Sequence, residues 1–394
     1  MLKLHLHHAA ILLLAFSLPS FVSAQDFVWT GAGQTANWSD IENWDGVEFP
    51  PVSSDATAIF FNDPTNQSTT FQDISHPFVM KNLTITSGEE IGFTLAGEDL
   101  EITGGFLELN GPQASTINNN VKLVNGSQIL GNQADSFFNG NVSSERGQLV
   151  GTINMSNQLT VSGGLTSINR DSSVSIGGET IVDGGGLRVN ANATLKGTQN
   201  GNGQLSVING SGIDLQLGFV EKDVFISADS LISGNGTIIG NLTADGLITP
   251  GNSAGTINID GDVDMDDTTV TCIELGGSGD GDFDVLDGLS GFNFLGGNTA
   301  FLDGTLEVSL IDGFIPDSAD EFMFIQNFTI IGEFDNTGGN NLTGGTLNIG
   351  DGIFQVEYGA THVRLFDFQA IPEPTSLTIL GVFAAGLFAR RRRN

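Results

Sequence analysis

Short stretches that alternate apolar and polar residues follow one another from Lys81 to Asp260, interspersed with Gly, Asn and Asp: NLTIT, GFTLAG, DLEIT, FLELNG, VKLVNG, QLTVSG, SVSIGG, GLRVNA, QLSVING, DVFIS, GTIIG and NLTADG. Each has the length of a short strand, and none carries the 3.6-residue period of an amphipathic helix. Alternation turns one set of side chains inward and the other to water, and the Gly and Asn ends supply the positive φ that tight corners need. A single stretch of this kind buries too little apolar surface to hold itself. Stacked coils about 4.8 Å apart share backbone hydrogen bonds and one continuous aliphatic core. The spacing therefore predicts an all-β chain built on a parallel β-solenoid (β-helix) with coils of about 20 residues. A β-sandwich also repeats strands every 8 to 12 residues or so, but the number and irregularity of these stretches favour the solenoid.

A solenoid has two open ends, and both must be covered. Residues 25–80 contain WTGAGQTANWSDIENWDG and AIFFND and hold all three tryptophans, Trp29, Trp38 and Trp44. They are expected to form an N-terminal cap; the alternative is a platform on which tryptophan faces stack against sugars. The solenoid then occupies 81–260. Within 261–370 the strands become longer and richer in Phe, as in FLDGTLEVSLIDGF and GTLNIGDGIFQVEYG, and are expected to close the far end as a C-terminal β segment.

The chain carries 46 acidic residues against 13 Lys and Arg. Lys3 and the four arginines at 390–393 lie at the ends, so the body keeps eight cations (Lys81, Lys122, Lys196, Lys222, Arg146, Arg170, Arg188, Arg364) against 45 acids, a net of −37. Such a surface repels phosphate backbones and anionic lipid headgroups, which argues against nucleic acid as a partner. Scattered cations also argue against a lyase that neutralises uronates. A polysaccharide-acting enzyme on the same scaffold, a lyase or a hydrolase using paired carboxylates, remains the alternative to a non-enzymatic role. Cys272 is the only cysteine, so no intrachain disulfide forms, and its expected place is the core.

Two acidic runs stand out: Asp260, Asp262 and Asp264, continuing to Asp266 and Asp267, and Asp280, Asp282 and Asp284, continuing to Asp287. Glycine-spaced oxygen ligands suit Ca²⁺, yet an EF-hand loop counted from Asp260 would need Gly at its sixth position and an acid at its twelfth, where Met265 and Thr271 stand. Solvated acidic turns and calcium ligands both fit these runs, and no other cofactor is called for.

The two ends read as addresses. Residues 1–24 have a short start with Lys3, an apolar stretch from Ala9 to Phe16 and Val22-Ser23-Ala24 as a small-residue cleavage site, the pattern of a secretory signal peptide handled by the secretion machinery. At the other end, Pro372-Glu373-Pro374 precedes an uncharged run at 375–389 and then Arg390, Arg391, Arg392 and Arg393. As a helix that run spans roughly 22 Å against a hydrocarbon core of about 30 Å, a marginal transmembrane anchor. The arginines stop translocation and keep the last residues cytoplasmic.

This tripartite tail, IPEP followed by the apolar segment and RRRR, resembles the PEP-CTERM sorting signal of exported bacterial proteins. The resemblance implies recognition by an exosortase, cleavage near the motif, and transfer from the inner membrane to the cell envelope, outer surface or extracellular matrix. Thr375-Ser376 departs mildly from the residues common after the second Pro in that family. The tryptophan-rich opening and ITPGNSAGTINIDGDV resemble autotransporter-passenger and related PEP-CTERM β-helical proteins. These resemblances imply a structural or adhesive surface protein, with extracellular polysaccharide as the polymer it meets.

Overall fold

The computed structural model describes residues 25–46, 48–53, 57–62, 68–88, 91–198, 203–289, 298–338 and 345–371. The expected signal peptide at 1–24, the Pro372-Glu373-Pro374 sequence, the apolar run at 375–389 and Arg390 to Arg393 lie outside them. Among the described residues no helix is long and apolar enough to cross a membrane.

The chain is a parallel β-solenoid whose coils present three faces. On the first face Leu100 pairs with Val121, Val121 with Val142, Val142 with Leu159 and Leu159 with Thr180, all in parallel register and 17 to 21 residues apart. The column continues through Leu205, Val224, Leu242 and Val263. Strands such as Leu165–Ile168 and Gly186–Val189 form the second face, and Ser173–Ile176 and Thr194–Lys196 the third. Parallel pairing is not confined to 81–260. It begins at Gln25, which pairs with Thr57, and extends to Gly332, which pairs with Leu302. Antiparallel strands then end the ladder, as Glu321–Gln326 pairs with His362–Ala370, and the latter with Gly352–Tyr358.

The sequence alternation decides which side chains meet inside. Leu159 and Val161, Leu205 and Val207, and Leu187 and Val189 are all fully buried, while Thr160, Ser206 and Arg188 between them are partly exposed. Cys272 departs from the sequence expectation. Thr271, Ile273 and Leu275 take the inward positions of Val270–Leu275, which leaves Cys272 half-buried on the outer side with its Sγ 3.6 Å from Glu307 Oε2. Desolvation, followed by the carboxylate of Glu307, pushes its thiol up to about 12, so it stays protonated and unreactive.

Each corner has its own chemistry. Where the first face turns into the second, small hydroxyls point inward and bond to backbone or to each other, as with Ser127 Oγ to Ile102 O at 2.7 Å and Ser144 Oγ to Thr166 Oγ1 at 2.7 Å. Where the third face returns to the first, the two residues before each strand repeat a pattern: Asn119-Asn120, Gly140-Asn141, Asn157-Gln158, Gly178-Glu179, Gly203-Gln204, Lys222-Asp223, Gly240-Asn241 and Gly261-Asp262. A Cβ on Gly203 or Gly261 would overlap the carbonyl of the same position one coil earlier, so these two positions are fitted to glycine, while Asn119, Asn157 and Lys222 show that other coils accommodate a side chain there. The second residue stitches coils together. Asn241 N–H donates to Asp223 Oδ1 at 2.9 Å, Asp262 N–H to Asn241 Oδ1 at 2.9 Å, and Thr299 N–H to Asp262 Oδ1 at 2.8 Å.

At the N-terminal end Trp29, Trp38 and Trp44 are buried in one edge-to-face cluster, with Trp29 and Trp44 centroids 5.1 Å apart and Trp38 against Phe78 at 5.2 Å. Rings enclosed in this way have no face free for a sugar, which sets aside the stacking platform. Near the C-terminal end Phe322 and Phe354 pack edge to face at 5.8 Å, and Arg364 pairs with Glu321 and Glu357 while lying 5.0 Å over the Phe366 ring.

Candidate functional site

Among the described residues, the corner between the second and third faces is concave. Two adjoining cavities of about 640 and 520 Å³ lie along it. The first is lined by Val150, Asn169, Arg170, Asn190 and Gln216, the second by Phe219, Asn235, Thr237, Thr256 and Asn258, and Leu217 borders both. These residues come from six successive coils, so the groove runs roughly 24 Å along the solenoid axis.

Its polarity follows from how the corner is made. Asn169 donates to Gln148 Oε1 at 3.0 Å, Asn190 to Ile168 O at 2.9 Å and Gln216 to Asp214 Oδ1 at 2.6 Å, and each such bond fixes an amide on the groove wall. The side-chain oxygens of Asn169 and Asn190 have no hydrogen-bond partner among the described residues and remain free acceptors. Asp214 is engaged on its other side by Arg188, whose Nε lies 2.8 Å from Oδ2. Neither cavity is lined by an Asp or Glu, although the chain carries 46 of them. Arg170 is the one cation on the groove wall and forms no ion pair among the described residues.

Leu217 is the outlier. The turn residues of neighbouring coils that adopt positive φ are Gly151, Asp171, Asn192, Gly234 and Gly251, residue types that tolerate it. Leu217 adopts φ +62° and leaves 64% of its surface in water. A bulky side chain in this conformation costs about 1 to 2 kcal/mol, and exposure returns none of it. Phe219, two residues on, is also 38% exposed. Composition hides this site, because its Asn and Gln residues look like ordinary turn formers; the only signal in the sequence is the apolar residue at the tip of LQLGF.

The acidic runs are distributed rather than gathered. Asp262 belongs to the corner ladder, Asp264 faces outward on Val263–Met265, and Asp260 ends Thr256–Asp260 with Oδ1 buried and unpartnered among the described residues. Asp280 and Asp282 lie in an exposed turn. Asp284 is fully buried, and its Oδ1 and Oδ2 accept the Gly255 and Glu274 N–H groups at 2.8 and 2.9 Å. Among the described residues no group of three or more His, Cys, Asp or Glu is placed to share a metal. Thermal melts with excess calcium and with chelator are therefore expected to give the same midpoint; a rise of several degrees with calcium would restore these aspartates as ligands.

Compared with known proteins, the chain matches no family model, no curated protein and no solved structure.

Proposed function

We propose that the protein is an exported, non-enzymatic structural or adhesive component of the bacterial surface or extracellular matrix, delivered by exosortase through its PEP-CTERM-like tail. In this reading the tryptophan cluster caps one end of the solenoid, the antiparallel strands close the other, and 375–389 is a temporary transmembrane handle. The observation that carries the reading is the long groove, free of lining carboxylates, on a strongly acidic solenoid, a surface suited to many weak contacts with an extended extracellular polysaccharide. The buried carboxyl with the strongest upward shift, Asp284, is sealed from any substrate and holds two backbone N–H groups, which makes it a support and not a general acid.

Sorting is testable in the producing cell. Protein recovered from the matrix is expected to end near Pro374 by intact mass, and a strain lacking exosortase is expected to retain the uncut chain in its membrane fraction. Full-length protein in the matrix of both strains would overturn the reading.

A further inference from the structure

We infer that the groove beside Leu217 binds an uncharged oligosaccharide, with Leu217 and Phe219 against the apolar face of the sugar rings and Asn169, Arg170, Asn190 and Gln216 bonded to hydroxyls. The inference rests on the matrix reading above and gives it a ligand class. Three features of the groove point the same way.

The first is Leu217 itself. A strained, exposed apolar side chain at the point where two cavities meet gains nothing for the free fold, and strain of this kind gathers where ligands are held. A flat apolar contact flanked by fixed amides matches a pyranose, which has a C–H face and a rim of hydroxyls that both donate and accept.

The second is charge. The groove wall has no carboxylate and one guanidinium, on a body of net −37. A polyanion would meet one cation locally and strong repulsion everywhere else within a Debye length of about 8 Å. A neutral chain meets neither penalty, and Arg170 serves it as a fork of hydroxyl donors.

The third is the backbone. Peptides commonly bind by adding a strand to an open edge. Here corner amides are already bonded from coil to coil, with Asn192 N–H donating to Leu217 O at 3.2 Å and Phe219 N–H to Ala193 O at 2.8 Å. Recognition falls to side chains, and side-chain amides set along an axis suit an extended glycan.

The test uses the body, residues 25–371, titrated by calorimetry with gluco-, manno- and galacto-configured neutral hexasaccharides and with a hexauronate of equal length. Binding of at least one neutral probe is expected, changed little by added salt, with the hexauronate weaker. Leu217→Asn is expected to reduce affinity about tenfold while raising the melting midpoint by about 2 °C, because Asn accepts positive φ. Leu165→Asn, at an exposed leucine outside both cavities, is expected to leave affinity unchanged. Absence of neutral binding, preference for the uronate, or full affinity in Leu217→Asn each overturns the inference. Sorting fails or succeeds independently: a correctly processed matrix protein that binds no neutral probe loses the ligand and keeps the proposed role.

Discussion

Asp284→Ala is expected to lower the unfolding free energy by about 4 kcal/mol. The side chain is fully buried, and both of its oxygens accept backbone N–H groups, from Gly255 in the Pro250-to-Thr256 turn and from Glu274 in the strand Val270–Leu275. Removing it orphans two donors at about 1 to 3 kcal/mol each and leaves a small cavity besides. The turn is also tied to the preceding coil, by the Gly234 and Gly251 backbone pair and by Thr256 N–H to Asn235 Oδ1 at 2.7 Å, but among the described residues only Asp284 joins it to the strand Val270–Leu275. Gly251 sits at φ +84°, where a Cβ would stand 2.8 Å from Asp284 Oδ1, and a Cβ on Gly255 would overlap the Asn235 side chain. The PGNSAGT segment is thus fitted around the carboxyl. Urea denaturation and hydrogen exchange of residues 251–256 measure the effect, and a loss below about 1 kcal/mol would show that the carboxyl is dispensable.

The same residue gives stability a pH dependence. Desolvation, the largest influence, raises the Asp284 carboxyl from 3.8 to about 7 against the opposing pull of the two N–H bonds. Between those values the folded chain holds a proton that the unfolded chain has released, so the unfolding free energy falls as pH rises through the window, by a few kcal/mol at most. Relief of charge repulsion at low pH acts in the same direction across the whole body. The informative quantity is therefore the difference from Asp284→Asn, which is expected to show a shallower slope between pH 4 and 7.

The fold was legible because strand alternation and coil corners are local. Leu159, Val161, Leu205 and Val207 fall inward by the two-residue period alone, and the returning corner even leaves a readable pair, Gly-Asn at 140–141 and again at 240–241. Coil contacts that reach across the stack were not legible. Nothing local distinguishes Asp284 from Asp282, yet one is sealed inside and the other lies in water. Cys272 looked like a core residue by type, and the register of Val270–Leu275 turned it outward. The groove was hidden for a related reason: Asn169, Asn190 and Gln216 are separated by whole coils, and only stacking brings them to one wall.

Lys222 shows how far one residue can depart from its column. At its corner position the neighbouring coils carry Gly or Asn, and a Cβ on Gly240 would already crowd the Lys222 carbonyl. The lysine is nevertheless fully buried, and its ammonium reaches back over earlier coils to donate to Gly178 O at 3.2 Å and to Gly203 O. No carboxylate pairs with it among the described residues, so desolvation lowers it from 10.5 to about 8. Lys222→Ala is expected to cost about 3 kcal/mol at pH 7. It strips two buried carbonyls of their donor and empties the space of the stem, while relief from burying a charge returns part of the loss. Between pH 8 and 10.5 the folded amine has shed its proton while the unfolded one keeps it, so the wild-type chain gains stability as pH rises through that window. The gap between Lys222→Ala and wild type is therefore expected to widen from pH 7 to pH 10 in parallel denaturation series. A gap that narrows would mean that the two carbonyls hold the amine in its charged form, and that its burial carries no net electrostatic cost.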